Sequence, residues 1–368
     1  METLKTIPVA APQIADEEKR AVLAVLESGH LAQGPVVEAF EREFAAWCGA
    51  SHAVAVNSGT AALHLLMVAH GVRPGDEVIT SPFTFVSSAN AALFVGARPV
   101  FVDIELETYC MDPARVEAAI TPKTRSIMPV DLYGHPAAVA ELSEIADRHR
   151  LVLIEDACQA HGASIGGKKA GALGVSASFS FYPTKNITTG EGGMITTDDE
   201  GVATQVGMLR QHGARERYHH DLLGYNFRMT DIAAAIGRAQ LKKLDRWNEV
   251  RRRNASLLDE GLSGIRGVRT PRERPGYRHV YHQYTVFIEG DRDRFQARLR
   301  ELGIGTAVHY AVPVHRQPLY LDMGYGDISM PNSENAAAHA LSLPVHPALT
   351  ESDLERVVEA VRKVAAAS

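Results

Sequence analysis

Apolar residues recur along this chain with two different periods. Over residues 16–27 and again over 36–47 they return every three to four positions, which places them on one face of a helix; the intervening 29–35 segment, with Gly29, Gly34 and Pro35, predicts a loop. From residue 61 to 131 the pattern alternates. A helix from Ala61 leads into a Pro74-Gly75 turn and a short strand, then helix 85–95, strand 99–103, helix 113–120 and strand 126–131. Helix 139–149 and strand 151–155 continue the rhythm, the latter as four consecutive apolar residues, the mark of a strand covered on both faces. Ser178-Phe179-Ser180-Phe181 and Met194 to Thr197 predict two more strands, joined by a buried glycine-rich loop. Alternating helices and strands imply an α/β domain with a mainly parallel sheet.

The pattern then changes. Residues 231–261 form one long amphipathic stretch, capped by Thr230 or Asp231, and 266–278, rich in proline, glycine and arginine, predicts a loop at a domain edge. Strand 284–288, helix 291–302, strand 306–309, helix 332–340 and helix 351–365 complete a smaller α+β unit, with residues 365–368 expected to fray. The division is therefore a large domain over 1–245, including the N-terminal segment, and a small C-terminal domain over 246–368.

Composition narrows the function classes. With 45% hydrophobic and 22% charged residues and a net charge of −6, the 368-residue chain lacks the basic footprint of a nucleic-acid-binding protein. No apolar run approaches the roughly 20 residues of a membrane span, and the first eight residues have no long apolar core. Three cysteines argue against a disulfide framework and for a reducing compartment, so a cytoplasmic location is expected.

Three segments carry candidate chemistry. Lys185 follows an aromatic, hydroxyl-bearing strand and Pro183 and precedes Gly190, Glu191, Gly192 and Gly193. An amine held among apolar groups loses stabilisation of its charged form and can attack a carbonyl, which is Schiff-base chemistry. Asp156 lies just past the carboxyl end of strand 151–155, where open α/β sheets bind ligands. A carboxylate there needs a cation, and a pyridinium nitrogen is one that gains function from being kept protonated. In the third segment, 54–63, a strand runs through Asn57-Ser58-Gly59-Thr60 into a helix, whose amides and positive end suit a phosphate.

Each residue also has a plainer reading. A lone lysine before glycines is usually a surface residue, a lone aspartate after a strand a cap, and Cys158 a small buried hydrophobe. Arg228 serves equally as a carboxylate clamp or a structural ion pair. His161, His309 and His315 lack the close Cys/His spacing of metal ligands, so no metal is expected.

Taken together and in chain order, these segments resemble the sugar aminotransferases of the DegT/DnrJ/EryC1/StrS family, pyridoxal 5'-phosphate enzymes with the aspartate-aminotransferase (fold type I) architecture. The resemblance runs from Ser28-Gly29, Gly34-Pro35 and Phe40-Glu41 to His309-Tyr310 and Pro313-Val314-His315. It implies that Lys185 forms the Schiff base and acts as general acid and base, that Asp156 partners the ring nitrogen, and that Gln159 lies near the ring hydroxyl. It further implies that Phe85 stacks on the ring and that Gly59, Thr60 and Ser180 hold the phosphate, with Ser58 beside them. Asn226 would reach the phosphate of the neighbouring subunit, making a homodimer with shared active sites, while Arg228, His309, Tyr310 and His315 would meet substrate. The implied reaction moves an amino group from an amino acid, usually L-glutamate, to a nucleotide-linked keto-sugar.

Some relatives have histidine at the lysine position and act as dehydratases; Lys185 favours transamination here. The stretch Asn186-Ile-Thr-Thr-Gly-Glu-Gly-Gly-Met194 looks like members acting at C4, with a 4-keto-6-deoxyhexose as substrate, and Thr188 and Thr189 are expected to restrict the sugar ring. The alternatives are a C3 aminotransferase of the same family, a cofactor-binding dehydratase or a regulatory protein. A NAD-dependent enzyme would need a Gly-x-Gly-x-x-Gly turn, and no convincing one occurs.

Overall fold

The computed structural model describes residues 6–367. Its centre is a seven-stranded sheet in the order His52–Val56, Gly193–Thr197, Ser176–Ser180, Val152–Asp156, Thr124–Met128, Glu77–Thr80, Arg98–Phe101. Gly193–Thr197 runs antiparallel to both neighbours, and every other pairing is parallel. Because strand side chains alternate between faces, neighbouring residues serve different cores. Val54, Val56, Met128, Ile154 and Ile195 meet helix Gly59–Ala69 and helix Glu200–Leu209 on one face. On the other, Ala55, Ala177, Phe179 and Met194 pack against Phe40 and Phe44 of helix Pro35–Cys48, while Ile79, Ile127 and Leu153 pack against helix Val139–His149.

Helix Asp231–Leu262 spans both parts of the molecule. Thr230 caps it, its Oγ1 accepting the Ala233 amide at 3.1 Å. Ala234, Leu241 and Leu244 belong to the core with Phe40; Ala255, Leu258 and Leu262 belong to the C-terminal core. That second core also takes in Ile7, whose amide donates to the Gly303 carbonyl, so the N-terminal segment packs on the C-terminal unit.

The C-terminal unit differs from the expectation in three ways. Residues 306–309 form no strand, only an isolated bridge between Ala307 and Ser342. The helix expected over 332–340 is Pro331–His339, and Ala340–Leu343, built of good helix formers, is instead a strand paired antiparallel to Tyr284–Ile288. Tertiary pairing there outweighs intrinsic propensity. Val268–Arg269, inside the predicted loop, is the third strand of this sheet. In the large part, the 113–120 helix is shortened to Pro113–Val116 followed by a 3₁₀ turn, and helix Glu200–Leu209 had no counterpart in the sequence reading. The last helix continues through Ala366; Ser368, expected to fray, and residues 1–5 lie outside the described residues.

Candidate active site

At the carboxyl ends of the central strands lies a cavity of about 520 Å³, and the three segments singled out in the sequence converge on it. Ser58, Gly59 and Thr60 form its floor at one end. Ser58 is extended and its Oγ accepts the Ala61 amide at 3.1 Å, which starts helix Gly59–Ala69 and leaves the first-turn amides without intrahelical acceptors. Glycine is required at 59: a Cβ there would stand 2.8 Å from Ser180 Cβ and 2.9 Å from Cys158 Sγ. Thr60 Oγ1 and Ser87 Oγ are 2.8 Å apart at the same end, beside Ser180. Amides, hydroxyls and a positive helix end make an anion cradle.

Asp156 ends strand Val152–Asp156 and is buried, with 4% of its surface exposed. Its Oδ2 accepts the Ser88 hydroxyl at 2.6 Å and its Oδ1 the Cys158 amide at 3.3 Å. Among the described residues no basic side chain pairs with it, so this buried carboxylate has a place for a cation from outside the chain. Its neighbour Glu155 points to the opposite face and accepts the Gly171 amide, so of the two acids only Asp156 lines the cavity.

Lys185 reaches the cavity from a turn in which its own amide donates to the Tyr182 carbonyl at 2.9 Å. Enclosure by protein lowers its pKa below the ordinary lysine value, partly opposed by Cys158 and Asp156. The imidazoles beside it are neutral: burial, with the nearby Lys185 charge, brings His309 down to about 4 and holds His282 well below its usual range. An enclosed amine whose charged form is destabilised by burial is suited to attack a carbonyl.

The C-terminal unit closes the other side with His282, Gln283, His309 and Tyr310. Gln159 joins the two sides: Oε1 accepts the Tyr133 amide at 2.9 Å, and Nε2 donates to the Tyr310 hydroxyl at 3.2 Å. Tyr133 also donates its hydroxyl to the His309 carbonyl. Phe85 stands at the mouth, 54% exposed, with its ring centroid 6.1 Å from that of Tyr310.

Of the residues predicted for the site, Ser58, Gly59, Thr60, Phe85, Asp156, Gln159, Ser180, Lys185, His309 and Tyr310 line this cavity. Three do not. Asn226 is exposed, its backbone bridged to Gln211, and Arg228 is half-buried with its backbone bridged to Val56. His315 is buried against Phe101, with Nε2 3.0 Å from Glu334 Oε1. His161 is enclosed between Phe179 and Phe181 and does not line the cavity. Thr188 and Thr189 also lie off the cavity: their hydroxyls donate to the Phe181 and Glu191 carbonyls at 2.8 and 2.7 Å.

Ser87, Ser88, Tyr133, His282 and Gln283 escaped the sequence reading. The run Thr84-Phe85-Val86-Ser87-Ser88, with four polar or aromatic side chains leading into the first turn of helix Ser87–Phe94, was a usable signal; His282 and Gln283 offered none, since only the tertiary fold brings them to Lys185. Among the described residues no group of three or more His, Cys, Asp or Glu side chains could hold a metal, and no helix is long and apolar enough to cross a membrane.

Known proteins resemble this chain in sequence and in fold. The sequence model of the DegT/DnrJ/EryC1/StrS aminotransferase family matches residues 12–362. A pleiotropic regulatory protein of Geobacillus stearothermophilus is 44% identical over 95% of this chain and 94% of its own. The dTDP-3-amino-3,4,6-trideoxy-alpha-D-glucose transaminase of Streptomyces venezuelae is 42% identical over 97% and 94%. The PLP-form of the putative sugar aminotransferase Spr1654 from Streptococcus pneumoniae superposes with a TM-score of 0.93 at 29% identity, covering 98% of this chain and 99% of that one.

Proposed function

Since the chain belongs to the DegT/DnrJ/EryC1/StrS aminotransferase family and is an aminotransferase that uses pyridoxal 5'-phosphate, we propose that it moves an amino group from L-glutamate to C4 of a nucleotide-linked 4-keto-6-deoxyhexose. The observation that carries the reading is that Lys185, Asp156 and the Ser58–Thr60 anion cradle share one cavity. The cavity fits the cofactor: a cradle for its phosphate, for its ring nitrogen a buried carboxylate that no basic side chain among the described residues pairs with, and an enclosed amine for its carbonyl.

When bound, pyridoxal phosphate supplies an electron-accepting ring that stabilises the carbanion formed when an amino acid loses its Cα proton. The chain's own groups do the rest. Lys185 Nζ anchors the cofactor, yields its place to the donor's amine, and then carries the Cα proton as general base and acid. Asp156 keeps the ring nitrogen protonated. Thr60, Ser87 and Ser180 orient the phosphate with the helix amides, Phe85 covers the ring, and Gln159 stands towards the ring hydroxyl through the polar tie to Tyr310. His309 and Tyr310, on the far wall, meet the sugar.

The C4 assignment rests on the likeness of segment 186–194 to C4-acting members. Amination at C3 has the name of the Streptomyces venezuelae relative in its favour, and the bonding of Thr188 and Thr189 to backbone removes one argument for C4. The reading includes a homodimer with shared sites, in which Asn226, exposed and off its own cavity, meets the partner's phosphate; its exposure is compatible with that role. Three free cysteines agree with a reducing, cytoplasmic setting.

The test has two steps. Mixing the cofactor-loaded enzyme with L-glutamate should convert the pyridoxal spectrum to that of pyridoxamine phosphate; no conversion would favour a regulatory or dehydratase role. Adding matched 3-keto and 4-keto nucleotide sugars and locating the new C–N bond by NMR then decides the carbon.

A further inference from the structure

Ser88 is not among the groups that define the family-like site, yet it makes the shortest polar contact to Asp156. Its Oγ lies 2.6 Å from Asp156 Oδ2, with both residues buried. A carboxylate only accepts, so the hydroxyl proton of Ser88 points to Asp156, and the contact has the length of a charge-assisted O–H···O⁻ bond. Thr84 Oγ1 lies 2.9 Å from Ser88 Oγ; with the Ser88 proton committed, Thr84 is the donor there. The order Thr84 to Ser88 to Asp156 is thus fixed. The other donor to the carboxylate, the Cys158 amide, is longer at 3.3 Å.

The position of Ser88 also ties this bond to the rest of the cavity. It sits in the first turn of helix Ser87–Phe94, next to Ser87, whose hydroxyl pairs with Thr60 at the phosphate end, and three residues after Phe85 at the mouth. One turn of chain therefore touches both ends of the site.

We propose that Ser88 is a positioning residue, supported by Thr84, which fixes the orientation of the Asp156 carboxylate and so the protonation of the cofactor's ring nitrogen. This rests on the reading that Asp156 partners that nitrogen. Without the hydroxyl, the longer contact from the Cys158 amide would hold Oδ1 alone and Oδ2 would lose its donor, so the carboxylate would no longer be held in one orientation.

The experiment compares cofactor-loaded wild type with Ser88→Ala, Ser88→Thr and Asp156→Asn, recording the cofactor's absorbance against pH together with kcat and KM. In Ser88→Ala the pH profile of the cofactor's absorbance should depart from that of wild type and kcat should fall on the order of ten-fold, the scale of outer supporting hydrogen bonds at other sites, with little change in KM for the keto-sugar. Ser88→Thr, which keeps the hydroxyl, should restore both. A wild-type pH profile and kcat in Ser88→Ala would overturn the proposal, as would a Ser88→Thr variant as impaired as the alanine one. If Ser88→Ala does not fold, Thr84→Val takes its place: a departure from the wild-type profile supports the relay, and an unchanged profile overturns it. An Asp156→Asn variant with wild-type spectrum and rate would instead remove the underlying assignment of Asp156.

Discussion

Gln159 Nε2 donates to the Tyr310 hydroxyl at 3.2 Å, a contact between the loop after central strand Val152–Asp156 and the C-terminal wall of the cavity. The same amide satisfies the buried Tyr133 N–H through Oε1. Gln159→Leu removes both partners, and leaving a buried donor unsatisfied costs about 1–3 kcal/mol. The expected outcome is a loss of that size in urea unfolding, with a raised KM for the sugar as Tyr310 loses its tether. A stability within about 0.5 kcal/mol of wild type, the range of ordinary surface changes, would mean that water replaces the amide.

A second prediction concerns pH and Lys185. In the unfolded chain a lysine keeps its proton to about pH 10.4, whereas enclosure lowers the value in the folded protein. Below the folded value both states are protonated and the penalty for enclosing the charge is fully present. It is relieved as pH rises from the folded value towards the unfolded one, because there the unfolded state binds more protons. Cofactor-free wild type should therefore gain stability relative to Lys185→Met across that alkaline window. Urea titrations of both proteins at neutral and alkaline pH check it; a difference that does not vary with pH would show that the amine is solvated.

A third prediction concerns Asp156, which no basic side chain among the described residues pairs with directly. Asp156→Asn should keep the fold, since an amide oxygen still accepts from Ser88, but lose most turnover. Each pKa unit lost at the ring nitrogen corresponds to about 1.4 kcal/mol, or ten-fold. Circular dichroism and stopped-flow rates with L-glutamate measure the two parts separately, and near wild-type rates would mean that another group holds the nitrogen.

How much of this was legible in the sequence depends on the range of the forces involved. The central strands announced themselves as apolar runs because both of their faces are covered, and Asp156 and Lys185 stood out because they interrupt or follow such runs. Helix Val139–His149 and strand Tyr284–Ile288 appear with the boundaries expected from periodicity alone. Ala340–Leu343 did not, because its strand conformation comes from pairing with Tyr284–Ile288, over fifty residues earlier, and its local composition favours a helix. His282, Gln283 and Tyr133 were invisible for the same reason: their role comes from contacts across the chain, as between Tyr133 and His309. His315 looked like a site residue in its Pro-x-His setting, but it is buried against Phe101 and hydrogen-bonded to Glu334, off the cavity.

The fourth prediction tests subunit sharing without assuming it. Lys185→Ala should be inactive and retain no covalent cofactor after borohydride reduction, and Asn226→Ala should be impaired through weaker phosphate binding. If Asn226 serves the partner's site, a mixed dimer of the two variants contains one site with both residues intact. Random reassortment then restores about a quarter of wild-type activity, since half the dimers are mixed and one site in each is whole. Mixing that restores nothing, while both variants still dimerise, would confine Asn226 to its own subunit.

The last prediction is about the turn after Lys185. Thr188 and Thr189 carry the sequence difference that pointed to C4, but their hydroxyls are already engaged. Thr188 Oγ1 donates to the Phe181 carbonyl at 2.8 Å and accepts the Gly190 amide at 2.9 Å, and Thr189 Oγ1 donates to the Glu191 carbonyl at 2.7 Å. Both residues are buried, and neither lines the cavity. Their chemistry is that of hydroxyls bracing a loop, which serine and threonine commonly do. The paired substitution Thr188→Gly and Thr189→Ala should therefore lower stability, by about 1 kcal/mol per lost hydrogen bond and a further 0.5–1 kcal/mol or so for the added glycine freedom. The new C–N bond should stay on the carbon that wild type aminates. Thermal unfolding measures the first effect and NMR of the amino-sugar product the second. Should the amine move to a different carbon in the double variant, the branched side chains would be shaping the sugar site through the loop backbone, and the regiochemistry would lie in this turn after all.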